Sequence, residues 1–226
     1  MCALAVPPAH AQAPATAGQV WSIGNLWVPL PSKFRALLTG EWNAGTDYSY
    51  QQFLGGAGIG FRWKRVSKLA HMVNINADKE SRLVVGGGYE YVWTDQLGAT
   101  SDEDRIVFDV TPRYRPASHW LLDLRNRAEF RWVDGDYSTR FRTRLTVERD
   151  IPVRTNGRLT PYVSAELFYN FASDSWNTQQ YAVGVELPFR RTFMVQAYYL
   201  FQHNSSAPDN VNVLGITLNF FLRNAL

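Results

Sequence analysis

This chain of 226 residues has a single cysteine, Cys2, which excludes a disulfide framework. Long apolar runs are also missing. Nothing approaches the roughly 18 uncharged apolar residues that a membrane-crossing helix needs, so a helical membrane protein is excluded. Charge of one sign is scarce as well: the formal net charge is only +3, and bulk charge gives no case for nucleic acid as a partner. His71 and His119 have no companions at metal-ligand spacing, so neither a metal nor a cofactor is expected. The inward glycines Gly56, Gly58, Gly60, Gly86 and Gly88 match no dinucleotide fingerprint. They are expected to leave room for long arginines crossing from opposite strands.

What the chain has is aromatic residues, at 14%, and a mean hydropathy of only −0.25. Moderate hydropathy with many aromatics is the signature of alternating transmembrane strands, whose polar inward residues dilute the apolar signal. The alternation is plain from residue 120 to residue 133. One parity reads Trp120, Leu122, Leu124, Asn126, Ala128, Phe130, Trp132, and the other reads Asp123, Arg125, Arg127, Glu129, Arg131. Successive side chains of a strand point to opposite faces, so this segment has one apolar and one charged face. No helix-period stretch covers the apolar faces, which places them against lipid and the charged faces inside a closed barrel. A soluble antiparallel barrel or sandwich is the competing fold, since periodicity alone does not separate the two.

Ten strands are clear, near 34–43, 52–64, 82–94, 105–115, 119–133, 138–149, 159–171, 178–188, 192–203 and 211–222. Residues 20–29 and 68–77 are weaker candidates. Single-chain bacterial barrels usually have an even strand number, so both or neither should join. The expectation is an all-β transmembrane antiparallel up-and-down barrel of twelve strands, with ten as the alternative. Tight turns are expected at 115–118, 156–157 and 189–192, and longer polar loops at 95–104, 134–138, 172–177 and 203–210. Trp93, Trp132, Tyr169, Phe171, Tyr199 and Phe201 should form an aromatic girdle at outward strand ends. At the start of the chain, 1–11 looks like the end of a secretory signal peptide, with Ala9-His10-Ala11 fitting the small-x-small cleavage rule. A disordered Ala/Pro-rich tail is the other reading. Residues 12–18 read as a flexible lead, and 19–226 as one barrel domain.

The inward parity defines the candidate site. Its basic members are Arg82, Arg105, Arg113, Arg125, Arg127, Arg131, Arg140, Arg142 and Arg144. Its acidic members are Glu90, Asp109, Asp123, Glu129 and Glu148, with Glu166 and Glu186 on later strands. Register is strongly fixed here. Slipping the segment 119–133 by one residue would turn its five charges toward lipid, at about 2–4 kcal/mol for each basic residue near the midplane. Either these groups form a salt-bridge network that fills the lumen, or their arginines line a path for small anionic solutes. An enzyme reading also exists. His203 and Ser205 share the lipid-facing parity in a His-x-Ser pair with the spacing of outer-membrane lipid hydrolases, and Asn212 could orient the imidazole. The flanking glycine of the phospholipase pattern is absent, and no acidic partner lies on the next strand.

Two resemblances follow from particular residues. Gly215, Leu218 and Phe220 in the last strand resemble the C-terminal signal by which the barrel-assembly machinery recognises its clients. The chain departs from that signal at Val213 and in Arg223-Asn224-Ala225-Leu226 beyond it. The stretches 126–132, 140–145, 160–170 and 198–200 resemble a family of predicted Gram-negative outer-membrane barrels known only as a domain of unknown function. The resemblance implies a barrel in the outer membrane of a Gram-negative bacterium, and a monomer surrounded by outer-membrane lipid is expected. It supplies no activity.

Overall fold

The computed structural model describes residues 15–65, 77–153, 157–189, 192–206 and 208–222. Twelve strands are formed: β1 (Thr16–Pro29), β2 (Phe34–Gly45), β3 (Tyr50–Arg65), β4 (Ser81–Gln96), β5 (Ala99–Tyr114), β6 (Trp120–Val133), β7 (Asp136–Arg149), β8 (Ile151–Val153), β9 (Gly157–Asn170), β10 (Ser175–Phe189), β11 (Phe193–Asn204) and β12 (Asn210–Phe221). Eleven of them close into a barrel. The three-residue β8 pairs only with β9 and lies outside the wall.

Closure is where the strand count departs from the even number expected. Each neighbouring pair around the wall is antiparallel except the last, in which β1 runs parallel to β12 from Thr16↔Asn210 to Trp27↔Phe221. An even count is required only when the closing pair is antiparallel. Residues 20–29 therefore join the barrel as part of β1 on their own, while 68–76 lie outside the described residues. The flexible lead is also shorter than expected, because β1 begins at Thr16.

Thr16 and Phe221 lie at opposite ends of the barrel, here termed the N-terminal and C-terminal rims. The loops expected to be long at the N-terminal rim shrink to short turns. Leu97-Gly98 joins β4 to β5 and Asp134-Gly135 joins β6 to β7, with φ of 57° and 82° in the first and 50° and 90° in the second. Two successive positive φ values give the two-residue hairpin whose twist matches that of its strands. The strands simply continue past the apolar zone, so polar residues such as Asp95 and Thr100 belong to the ladder (Asp95↔Thr100). β9 and β10 are joined by the four residues 171–174, and residue 207, between β11 and β12, lies outside the described residues. At the C-terminal rim the 115–119 turn stands as expected, whereas 154–156 and 190–191 lie outside the described residues.

The outward face carries the apolar parity. Phe108 and Val183 are each 54% exposed, and Trp63, Tyr89, Leu145 and Val163 are comparably open. Aromatics gather at both rims. Phe53 packs on Trp93, Trp132 on Tyr137, and Tyr169 on Phe171 and Trp176 at one rim; Phe34 packs on Phe61, and Phe193 on Phe189 and Phe220, at the other.

Inside, the wall has two characters. Across β11, β12 and β1 a small apolar core forms from Ala17, Leu200, Val211 and the fully buried Val213, with Trp21, Tyr48, Ala182 and Tyr198 against it. Val213, the residue that departs from the polar first position of the assembly signal, thus points into this core. Tyr162 and Tyr198 lie across glycines of the next strand. A Cβ at Gly184 would stand 2.7 Å from the Tyr162 ring, and one at Gly215 would collide with Tyr198. From β4 to β9 the inward face carries most of the lumen's charged side chains, with Val92, Val107, Leu121 and Phe168 buried among them.

Candidate functional site

The charged half of the lumen is built by register. Glu129 on β6 faces Arg140 on β7, Arg127 faces Arg142, and Arg125 faces Arg144; one strand further, Arg144 faces Glu166 on β9. On the other side Asp109 of β5 faces Arg127, and Glu90 of β4 faces Arg105. Directly opposed side chains in an antiparallel pair have Cβ atoms about 5 Å apart, so the ladder itself brings these groups within ion-pair reach.

The contacts form one continuous chain. Arg127 holds Asp109 through two parallel bonds, Nε to Oδ1 at 2.9 Å and Nη2 to Oδ2 at 2.9 Å, and donates from Nη1 to Glu90 Oε1 at 2.9 Å. Glu90 Oε2 lies 3.3 Å from Arg105 Nη1. Arg105 also bonds Glu103, to which Arg131 Nη2 donates at 2.8 Å. On the far side Arg142 bridges Glu129 (2.9 Å) and Glu166 (3.0 Å), with its guanidinium 4.3 Å over the Phe168 ring. Arg140 closes on the other oxygen of Glu129 at 2.6 Å. Glu129 is 0% exposed. Arg125 donates to Glu166 at 2.7 Å and approaches Asp109 at 4.0 Å, which joins the two sides. Bidentate arginine–carboxylate bonds are the strong class of hydrogen bond, and a network of them in a low-dielectric interior fixes its members rigidly.

Three smaller arrangements flank it. Arg113 is bonded to Asp123 at 2.6 Å. Lys79, on a short turn Ala77–Glu80 before β4, reaches both Glu148 (2.6 Å) and Glu186. Arg35 stacks over Trp27 at 3.6 Å, near Asn219, which accepts from Asn25 and Trp27.

Of the inward residues expected from sequence, Glu90, Arg105, Asp109, Arg125, Arg127, Glu129, Arg131, Arg140, Arg142, Arg144 and Glu166 are joined in the network. Arg113 pairs separately with Asp123, and Glu148 and Glu186 are held apart from the network by Lys79. Arg82 stands exposed at the start of β4. Glu103 and Lys79 are additions. Glu103 has the inward parity but sits in a polar stretch that resembles a loop, and Lys79 precedes the strand that carries the alternation. The glycines do something other than make room for arginines. A Cβ at Gly88 would stand 2.5 Å from the Ala57 carbonyl oxygen and 2.9 Å from Gly58 Cα, and one at Gly56 would stand 3.1 Å from Glu90 Cγ. They let β3 and β4 approach and curve.

On the outward face His203 and Ser205 are both exposed near the N-terminal rim. The His203 ring is 3.1 Å from Asn210, its register partner, while Asn212 accepts from the Tyr199 hydroxyl at 2.6 Å. Asn212 is therefore not the residue that orients His203. It lies two places further along β12, opposite Phe201 rather than His203.

A family model described as a protein of unknown function, DUF2490, matches residues 18–213. The chain belongs to this family. No curated protein matches the DUF2490 chain. Among solved structures it is similar to the β-domain of the Bordetella autotransporter BrkA, at 12% identity and a TM-score of 0.51, covering 78% of this chain and 80% of that one. An anion-selective porin from Comamonas acidovorans aligns at 14% identity and a TM-score of 0.39, covering 86% of this chain and 54% of the porin. The first likeness fixes the fold as an outer-membrane-type β-barrel.

Proposed function

We propose that this chain is a monomeric outer-membrane β-barrel of structural or small-solute type, in a Gram-negative envelope, whose lumen is held nearly closed by the arginine–carboxylate network. The single observation that carries the reading is Glu129, with no exposed surface, clamped between Arg140 and Arg142 on the inward face of the wall. A wide aqueous pore would leave such groups hydrated. Here the arginines of the network are 10–17% exposed, apart from Arg144. The apolar outward face with an aromatic belt at each rim supports placement in lipid. Leu218 and Phe220 on the outward face of β12, above the inward Gly215, support recognition by the assembly machinery.

Conductance tests the reading. The refolded protein in a planar bilayer should show openings far smaller than those of an open porin. Arg142→Gln, which releases Glu129 and Glu166 together, should raise conductance and lower the unfolding midpoint in the same variant. Large steady openings in the native protein would overturn it.

A further inference from the structure

The network does not balance. Arg105, Arg125, Arg127, Arg131, Arg140, Arg142 and Arg144 are joined through ion pairs to Glu90, Glu103, Asp109, Glu129 and Glu166, seven cations against five anions. Glu41, inward on β2, is engaged by Asn43. The surplus is localised. Two arginine pairs stand directly opposite each other in the β6–β7 ladder, an arrangement that is destabilising unless compensated. Arg127 and Arg142 are compensated, since each holds two carboxylates. Arg125 and Arg144 are compensated less, since beyond Glu166 Arg125 comes only to 4.0 Å of Asp109 through its Nε. They share Glu166 with Arg142: its Oε1 already accepts from both Arg125 and Arg142, and Arg144 comes only to 4.0 Å of Oε2. The Nε atoms of Arg125 and of Arg144 are both buried with no acceptor among the described residues. Arg144 is also the network's open member, with 36% of its side chain accessible.

We infer that Arg125 and Arg144 form a binding site for a small oxyanion with at least two oxygens and about two negative charges, such as phosphate or a dicarboxylate. Two arginines directly opposed in the ladder, each with an Nε–H that makes no hydrogen bond, match an acceptor that can bridge them. A monatomic anion cannot offer each guanidinium its own acceptor atom. The site rests on the lumen reading above and assigns its solute class.

Heat resistance of the folded protein in detergent, read as loss of the folded band on unboiled gels, tests it. Inorganic phosphate or succinate should raise the transition in a saturable way, while chloride at matched ionic strength should not, because a ligand that binds only the folded state stabilises it by mass action. Arg144→Gln should fold, should be at least as heat-resistant as the native protein without oxyanion because it removes a like-charge contact, and should lose the phosphate response. Lys33→Gln, at an exposed rim position, should keep that response. Equal responses to phosphate and chloride, or the same phosphate response in Arg144→Gln, would overturn the site. So would failure of Arg144→Gln to fold, since the surplus charge would then be structural. Conductance reports separately on the nearly closed lumen, so an open pore that keeps its phosphate response would sink only that reading.

Discussion

At the scale of single residues, the lumen divides charges that are held from charges that are spare. Glu129 is held. It accepts from Arg140 and Arg142 with no water-exposed surface of its own. Removing one partner of a buried ion pair leaves the other buried and uncompensated, which costs about 3–5 kcal/mol. Glu129→Gln should therefore lose stability on that order in urea titrations of the protein folded into vesicles, with Arg140 and Arg142 both left short of an anion. Asp104 is the contrast. It faces outward near the N-terminal rim, exposed, with the Tyr89 hydroxyl as its partner. Asp104→Asn should change stability by less than about 1 kcal/mol, because exposed polar pairs contribute little. A similar loss in both variants would mean that burial of the lumen is not what gives Glu129 its weight.

At the scale of strands, the alternation in the sequence was sufficient for ten strands and for the facing of nearly every charge on β4 to β9, because a slip of one residue would turn those charges outward. It was insufficient where both faces of a strand have the same character. β12 buries Val211 and Val213 inward while exposing Leu214 and Ile216 outward, so the first half of the strand carries no polar mark on its inward parity, and the apolar core inside the lumen was not legible. Strand ends were missed for the opposite reason. Above the apolar zone both faces are polar, so Glu103 and its neighbours resembled a loop although the ladder continues to Ala99. The glycines of β3 and β4 were legible as inward but not in purpose, since backbone approach leaves no periodic signal. Their role is testable on the strand pair itself. Gly88→Ala places a methyl 2.5 Å from the Ala57 carbonyl and should force β3 and β4 apart, at about 1–3 kcal/mol as for other overpacked sites. Gly40→Ala meets nothing within 4 Å and should be close to neutral by the same urea titration. A neutral Gly88→Ala would show that the two strands have slack where the structure has contact.

At the scale of the whole molecule, the odd strand count and the parallel seam are one fact. Eleven strands running alternately up and down leave the first and last pointing the same way, so a closed wall must join them in parallel. Val20 and Leu214 are register partners across that seam, and both face outward, at 37% and 65% exposure. Neighbouring strands lie about 4.8 Å apart, inside the roughly 4.4–6.8 Å Cα separation that a disulfide spans. In a Cys2→Ser background, Val20→Cys combined with Leu214→Cys should cross-link under mild oxidation and give a faster-migrating denatured band that reverts on reduction. Leu26→Cys combined with Leu214→Cys should not, because Leu26 pairs with Phe220, about 20 Å along the seam at the usual rise per residue. Cross-linking of the second pair but not the first would require a shifted register or an antiparallel seam, and the latter would mean a different number of strands in the wall. The cross-link also bears on the lumen. The network spans β4 to β9 and never touches the seam, so a locked barrel should keep the conductance of the unlocked one, and any change would show that the lumen's closure depends on how the wall is shut.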